Sequence, residues 1–178
     1  MTETLQIFLC GMPGSGKTCL GKELAGYLSY DFIDLDDVIV QKEGKKITEI
    51  FSDSGEDYFR TVESEVLRRI TENNAEKNVV ISLGGGTPCF HNNMHYVNLS
   101  GISLFIDPPV EVLVNRMLDI NEISKRPLLA SGDKDEVFRQ LNSRYEQRLR
   151  YYKEAKIKIK GDESIEQISF LIKSFRNG

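Results

Sequence analysis

The chain has 178 residues, 40% of them hydrophobic, which suits one domain with a sizeable core. Charged residues make up 28% and sum to a net charge of −4, so no basic field invites nucleic acid. No apolar run reaches the length of a membrane span. The opening "MTETLQ" lacks a basic stretch ahead of its first apolar run, so no signal peptide is expected. Cys10, Cys19 and Cys89 have no metal-like spacing and read as small reduced thiols, which points to a cytoplasmic protein.

The first element is "LQIFLC" (5–10), a short apolar run that reads as a buried parallel strand. It leads into Gly11-x4-Gly16-Lys17-Thr18, a full G-x-x-x-x-G-K-[ST] phosphate loop. Glycines at 11, 14 and 16 let the backbone adopt positive φ and turn N–H groups inward. Lys17 supplies a point charge for β- and γ-phosphates, and the Thr18 hydroxyl suits Mg²⁺. The loop opens "KTCLGKELAGYL" (17–28), whose apolar residues at 20, 24, 25 and 28 have helical spacing. A phosphate there sits on a helix N-terminus, where free N–H groups and the dipole favour anions.

A second strand, "DFID" (31–34), runs into Asp36 and Asp37. So many carboxylates beside bound phosphate would repel it unless a divalent cation intervened, and one aspartate is expected to complete the Mg²⁺ shell opposite Thr18, through water. Asp34 and Asp36, two apart at a strand end, face different ways, so one can serve metal while the other meets an acceptor hydroxyl. Asp36 or Asp37 could instead cap the next helix.

Helical patterns follow at 36–43, 47–52 and 55–73. In the last, Phe59, Val62, Val66, Leu67 and Ile70 form a buried face, and Arg60 and Glu63, three apart, are neighbours. Taken alone, that pair reads as a surface ion pair. A third strand, 78–83, ends in Gly84, Gly85 and Gly86. Three consecutive glycines suit close approach of backbone N–H groups to a carboxylate or phosphate, the alternative being a loose turn.

After a short helix near 91–98 comes a fourth strand, 101–106, and Asp107, which completes a Walker B-like "LFID" but also precedes two prolines. A helix over 109–117 is followed by a polar stretch, 121–136, with Arg126 at its centre. In a phosphotransferase such a stretch reads as a lid that closes its arginine on transferring charge; otherwise it is a solvated loop. The chain ends with a helix (135–154), a strand (156–159) and a helix (164–175). Strand–helix alternation of this kind predicts an α/β fold: a parallel sheet with helices on both faces and ligands beyond the carboxyl ends of its strands.

In order and spacing, "GMPGSGKT", "FIDLDDVI", "ITEIFSDSGEDYFRTVESEVL", "ISLGGGTP" and "KRPLL" resemble the shikimate kinase family from about residue 5 to about 160. The resemblance implies a three-layer α/β/α P-loop kinase fold with a five-stranded parallel sheet in the order 2-3-1-4-5 and a mobile lid. It implies a single kinase domain over 1–178, with a core of about 1–35 and 76–178, substrate-binding helices at about 36–73 and a lid at about 118–133. The implied activity is transfer of the γ-phosphoryl group of Mg·ATP to the 3-hydroxyl of shikimate, in aromatic amino-acid biosynthesis, by a monomer.

Carried over position by position, Gly14, Ser15, Gly16, Lys17, Thr18 and Cys19 hold the nucleotide phosphates, and Thr18 and Asp34 serve Mg²⁺. Asp36 meets shikimate hydroxyls and is the candidate base. Arg60 pairs with the shikimate carboxylate, helped by Gly85 and Gly86, while Glu63 orients Arg60 or contacts substrate. Arg126 is the lid arginine, and Arg116 matches an arginine near the adenine. Near the C-terminus the family usually reads R-x-P-x-Y. Here "RLRYYKEAKI" keeps Arg148 and Tyr152 but has Arg150 in place of proline. Arg148 is the expected second carboxylate arginine, with Arg144 and Arg150 as competitors. Other small-metabolite P-loop kinases, for gluconate or nucleoside monophosphates, and a nucleotide-dependent regulator are the rival readings.

Overall fold

The structure, a computed structural model, describes residues 4–118 and 134–177. Five strands form one parallel sheet: β1 (Gln6–Cys10), β2 (Asp31–Asp34), β3 (Val79–Ser82), β4 (Ile102–Ile106) and β5 (Ile157–Ile159), in the order β2-β3-β1-β4-β5. The order implied by the family resemblance is the order found. β1 is central, pairing Phe8 with Ile81 of β3 on one side and with Ser103 of β4 on the other. Its next strand in the chain, β2, lies at one edge, so strand order reverses beside β1 and opens a crevice at its carboxyl end.

Alternation along the strands divides the core in two. Phe8, Cys10, Val79, Ile81 and Phe105 face one layer, and Ile7, Leu9, Val80, Leu104 and Ile106 the other. The first layer is closed by α2 (Leu35–Glu43), α3 (Ile47–Asn73), α4 (Asn93–Ser100), α5 (Val110–Leu118) and α6 (Lys134–Tyr152). The second is closed by α1 (Lys17–Leu28) and α7 (Ile165–Asn177). Among the described residues no helix is long and apolar enough to cross a membrane.

The helices expected at 47–52 and 55–73 are the two arms of α3, separated by a kink at Gly55, whose φ of 82° and ψ of 173° are not helical. Two other boundaries differ from expectation for physical reasons. The short helix expected from 91 begins at Asn93, because His91 and Asn92 take left-handed φ of 49° and 57° before it. The second helix begins at Leu35 rather than 36, because its cap is Asp34, whose side chain accepts from the Asp36 backbone N–H at 3.1 Å. The capping role considered for Asp36 or Asp37 therefore belongs to Asp34.

Candidate functional site

The donor half lies where β1 ends. Gly11, Gly14 and Gly16 have φ of 145°, 81° and 97°, which wraps the loop back on itself. Among the described residues no side chain caps the α1 N-terminus, so its leading N–H groups are left to the concave side of the loop. Lys17 is buried and its Nζ donates to the carbonyls of Gly11 and Met12, both at 3.0 Å, which seats the ammonium inside the loop. Ser15 Oγ is buried with no hydrogen-bond partner among the described residues. An orphaned donor inside a ring of backbone amides fits a bound anion. Thr18 and Cys19 are exposed at the start of α1.

Asp34 bridges the two halves of the site. Its Oδ2 accepts from the Thr18 hydroxyl at 2.8 Å, while Oδ1 holds the start of α2. The carboxylate and hydroxyl expected to share a metal shell are thus in direct contact. Among the described residues no group of three or more His, Cys, Asp or Glu is placed to hold a metal ion. An ion at Thr18 and Asp34 would therefore complete its shell with phosphate and water oxygens, as Mg²⁺ commonly does. Asp107 is already engaged, its Oδ2 accepting from Lys158 Nζ at 2.7 Å and from Tyr145 Oη at 3.3 Å.

Across the crevice α3 presents Arg60. Sequence alone suggested a surface ion pair, but Arg60 is 8% exposed and Glu63 fully buried. Glu63 Oε2 accepts from Arg60 Nη1 at 2.9 Å, and Glu56 Oε1 accepts from Nε and Nη2 at 3.2 and 3.1 Å. The guanidinium lies over the Phe90 ring, 4.4 Å from its centroid, and beside Phe59 at 5.0 Å. A buried, stacked guanidinium held from two edges is rigid, and its fork geometry suits a carboxylate.

Each of the three glycines makes room for a different neighbour. A Cβ on Gly84 would lie within 3.0 Å of Glu63 Oε1, Thr87 Oγ1 and Asp36 Oδ1; on Gly85 it would meet Pro13 Cδ at 2.7 Å, and on Gly86 Arg60 Nη2 at 2.6 Å. The loop after β3 is therefore where the phosphate loop, the Asp36 carboxylate and the Arg60 guanidinium converge. Gly86→Ala is expected to displace Arg60 and weaken binding of a carboxylate ligand by about tenfold, the scale of one impaired hydrogen bond to a charged group. Titration calorimetry would measure it, and unaltered affinity would mean that Arg60 adjusts without cost.

Of the three candidate C-terminal arginines, Arg148 is half-buried and its charge acts on the Tyr152 hydroxyl. Tyr152 in turn donates to the Gly85 carbonyl at 2.5 Å. Burial raises the Tyr152 hydroxyl's proton affinity, with the Arg148 charge opposing it. Burial likewise pushes the Cys89 thiol up to about 11, while Arg148 and Arg60 both pull it back. Cys89 thus lies within the field of both arginines. Arg150 is exposed and stacks on Tyr151, and Arg144 is exposed.

Arg116 sits on the phosphate loop, its Nη1 donating to the Gly14 carbonyl at 3.1 Å. The neighbouring Met117 lies 3.4 Å from where a Cβ on Gly14 would be, so α5 packs directly on the loop. Arg126 and the lid expected around it lie outside the described residues. Sequence reasoning missed Glu56, Thr87 and Phe90, all in contact with Arg60 or Glu63. The i,i+4 spacing of Glu56 and Arg60 was the one available signal.

A phosphate loop on a parallel sheet of this order, with a buried arginine beside the adjoining glycine loop, defines a P-loop phosphotransferase. The family model for shikimate kinase matches residues 13–175. A shikimate kinase of Clostridium botulinum is 36% identical over 170 residues, covering 96% of this chain and 95% of that protein. The crystal structure of shikimate kinase from Bacteroides thetaiotaomicron superposes with a TM-score of 0.84 at 35% identity, covering 97% of each chain. The enzyme from Acinetobacter baumannii in complex with shikimate gives 0.83 at 32%, covering 97% of this chain and 95% of that one. This chain belongs to the shikimate kinase family.

Proposed function

We propose that this chain transfers the γ-phosphoryl group of ATP to the 3-hydroxyl of shikimate, giving shikimate 3-phosphate and ADP for aromatic amino-acid biosynthesis. The observation that carries the reading is Arg60, buried and held against Gly86 on the far side of the crevice from the phosphate loop. A small polyol with one carboxylate calls for a fixed bidentate cation at one end and carboxylate acceptors at the other. Arg60 and Arg148 serve the first need and Asp36 the second, with Glu63 orienting Arg60.

Lys17 and the amides from Gly14 to Cys19 hold the phosphates, and Ser15 Oγ adds a donor inside the loop. Arg116, on the Gly14 carbonyl, braces the nucleotide side of that loop. Arg126 is the lid arginine of this proposal. Thr18 and Asp34 hold Mg²⁺, which when bound screens the phosphate charge. Phosphoryl transfer leaves little covalent work to the protein, so positioning and charge stabilisation dominate.

The proposed division is a core (about 1–35 and 76–178), acceptor helices (about 36–73) and a lid (about 118–133). A monomer is part of this proposal. A cytoplasmic site of action belongs to the same proposal, supported by three free cysteines, two of whose thiols, Cys10 and Cys89, burial holds protonated.

Release of ADP, followed by a coupled assay with shikimate, gluconate and nucleoside monophosphates in turn, tests the proposal. Turnover with shikimate alone is expected. Turnover with gluconate or a nucleotide and none with shikimate would overturn it, and nucleotide binding without shikimate binding would favour a regulator.

A further inference from the structure

Arg60 is held by Glu63, so whatever holds Glu63 sets the angle of the guanidinium. Glu63 Oε1 accepts from the Thr87 hydroxyl at 2.6 Å, in a site where both residues are fully buried. Thr87 lies in the short turn Thr87–Cys89 that follows the triple glycine, so this bond ties α3 to the loop at the end of β3. The turn is tethered independently. Asn93 Nδ2 donates to the Thr87 carbonyl at 3.0 Å, and the Ser64 hydroxyl donates to Asn93 Oδ1 at 2.8 Å. Asn93 is fully buried and Ser64 nearly so. Ser64, Asn93, Thr87, Glu63 and Arg60 therefore form one buried hydrogen-bonded chain that leaves α3 and returns to it.

The Thr87 hydroxyl has a single proton, and it is directed to Glu63 Oε1. Both atoms lie within 3.0 Å of the point a Gly84 Cβ would occupy, so glycine at 84 leaves room for the bond. With Oε1 held by Thr87, Glu63 turns its second oxygen toward Arg60.

We propose that Thr87 is a positioning residue for the substrate carboxylate, its hydroxyl fixing Arg60 through Glu63. The proposal rests on the assigned transfer to shikimate and extends it to a residue that does not itself touch substrate. Valine in place of Thr87 keeps the shape and removes the donor. Glu63 Oε1 would then be buried without that bond and would turn to find another, which loosens Arg60.

The test compares wild type, Thr87→Val and Thr87→Ser by steady-state kinetics and by calorimetric affinity for shikimate and for its methyl ester, which lacks the negative charge. Thr87→Val is expected to raise the shikimate KM by about tenfold, equivalent to about 1.4 kcal/mol. Its kcat and its KM for ATP should stay within about twofold, a split that general destabilisation would not produce. Thr87→Ser should restore wild-type behaviour, and affinity for the ester should hardly change. Where the valine variant does not fold, Thr87→Ala is read in the same way. An unchanged shikimate KM, or equal losses for acid and ester, overturns the proposal. Wild type without turnover on shikimate overturns the assigned reaction as well, and that control separates the two failures.

Discussion

Arg60→Ala is expected to raise the KM for shikimate by about 100-fold, the scale of truncating one partner of a buried charge pair, with a much smaller effect on kcat. Arg60 is nearly enclosed, stacked on Phe90 and held by Glu63 and Glu56, so its guanidinium is fixed in place before any ligand arrives. Arg60→Lys keeps the charge and loses the fork, and should fall between alanine and wild type. Alanine also leaves Glu63 buried without its cation, a loss of about 3–5 kcal/mol in stability. The two effects can be separated. Adding Glu63→Gln to Arg60→Met removes the stranded charge and should recover most of the melting temperature, while shikimate affinity stays low. A shikimate KM unchanged in Arg60→Ala would show that the carboxylate binds elsewhere, with Arg148 the first place to look.

What was legible in the sequence was local. The phosphate loop can be read because its glycines, lysine and threonine act through the backbone of one turn, and the observed φ values match what those glycines permit. Asp34 and Asp36 stood out because two carboxylates at a strand end are costly without a purpose. Parallel strands alternating with helices followed from hydrophobic period, but their order is a matter of long-range pairing, and only the family resemblance carried it. The depth of Arg60 and Glu63 was likewise hidden. Period shows which face of α3 is apolar, not that polar residues on its margin are sealed by another segment. That segment is the turn at Thr87, more than twenty residues further along the chain, whose hydroxyl and preceding glycines mean nothing until the tertiary fold brings them against α3. Asp34 shows the same limit in a different form. Three aspartates were available to cap α2, and the choice fell on the one whose backbone is extended, with φ of −99° and ψ of 122°. Spacing does not encode that angle.

The double role of Asp34 shapes what to expect of its neighbour. One oxygen meets the Thr18 hydroxyl on the donor side and the other fixes the Asp36 backbone N–H, so the position of Asp36 is referenced directly to the phosphate loop. Asp36→Asn preserves side-chain shape, and the backbone N–H that Asp34 holds is unaltered. It should therefore bind shikimate within a few-fold of wild type. What it loses is the ability to accept the proton of the attacking hydroxyl, and kcat is expected to fall by about 100-fold, the low end of general-base contributions. The low end applies because a loose transition state forms little bond to the nucleophile before the leaving group departs, so charge develops late on the attacking oxygen. Two measurements decide the role. If Asp36 is the base, the asparagine variant loses kcat on that scale while its KM for shikimate stays within a few-fold. If kcat falls less than about threefold, Asp36 only positions the hydroxyl, and the proton leaves with solvent. In that case Asp36→Ala, which removes the hydrogen bond itself, would cost more than Asp36→Asn, and most of the added loss would appear in KM rather than kcat.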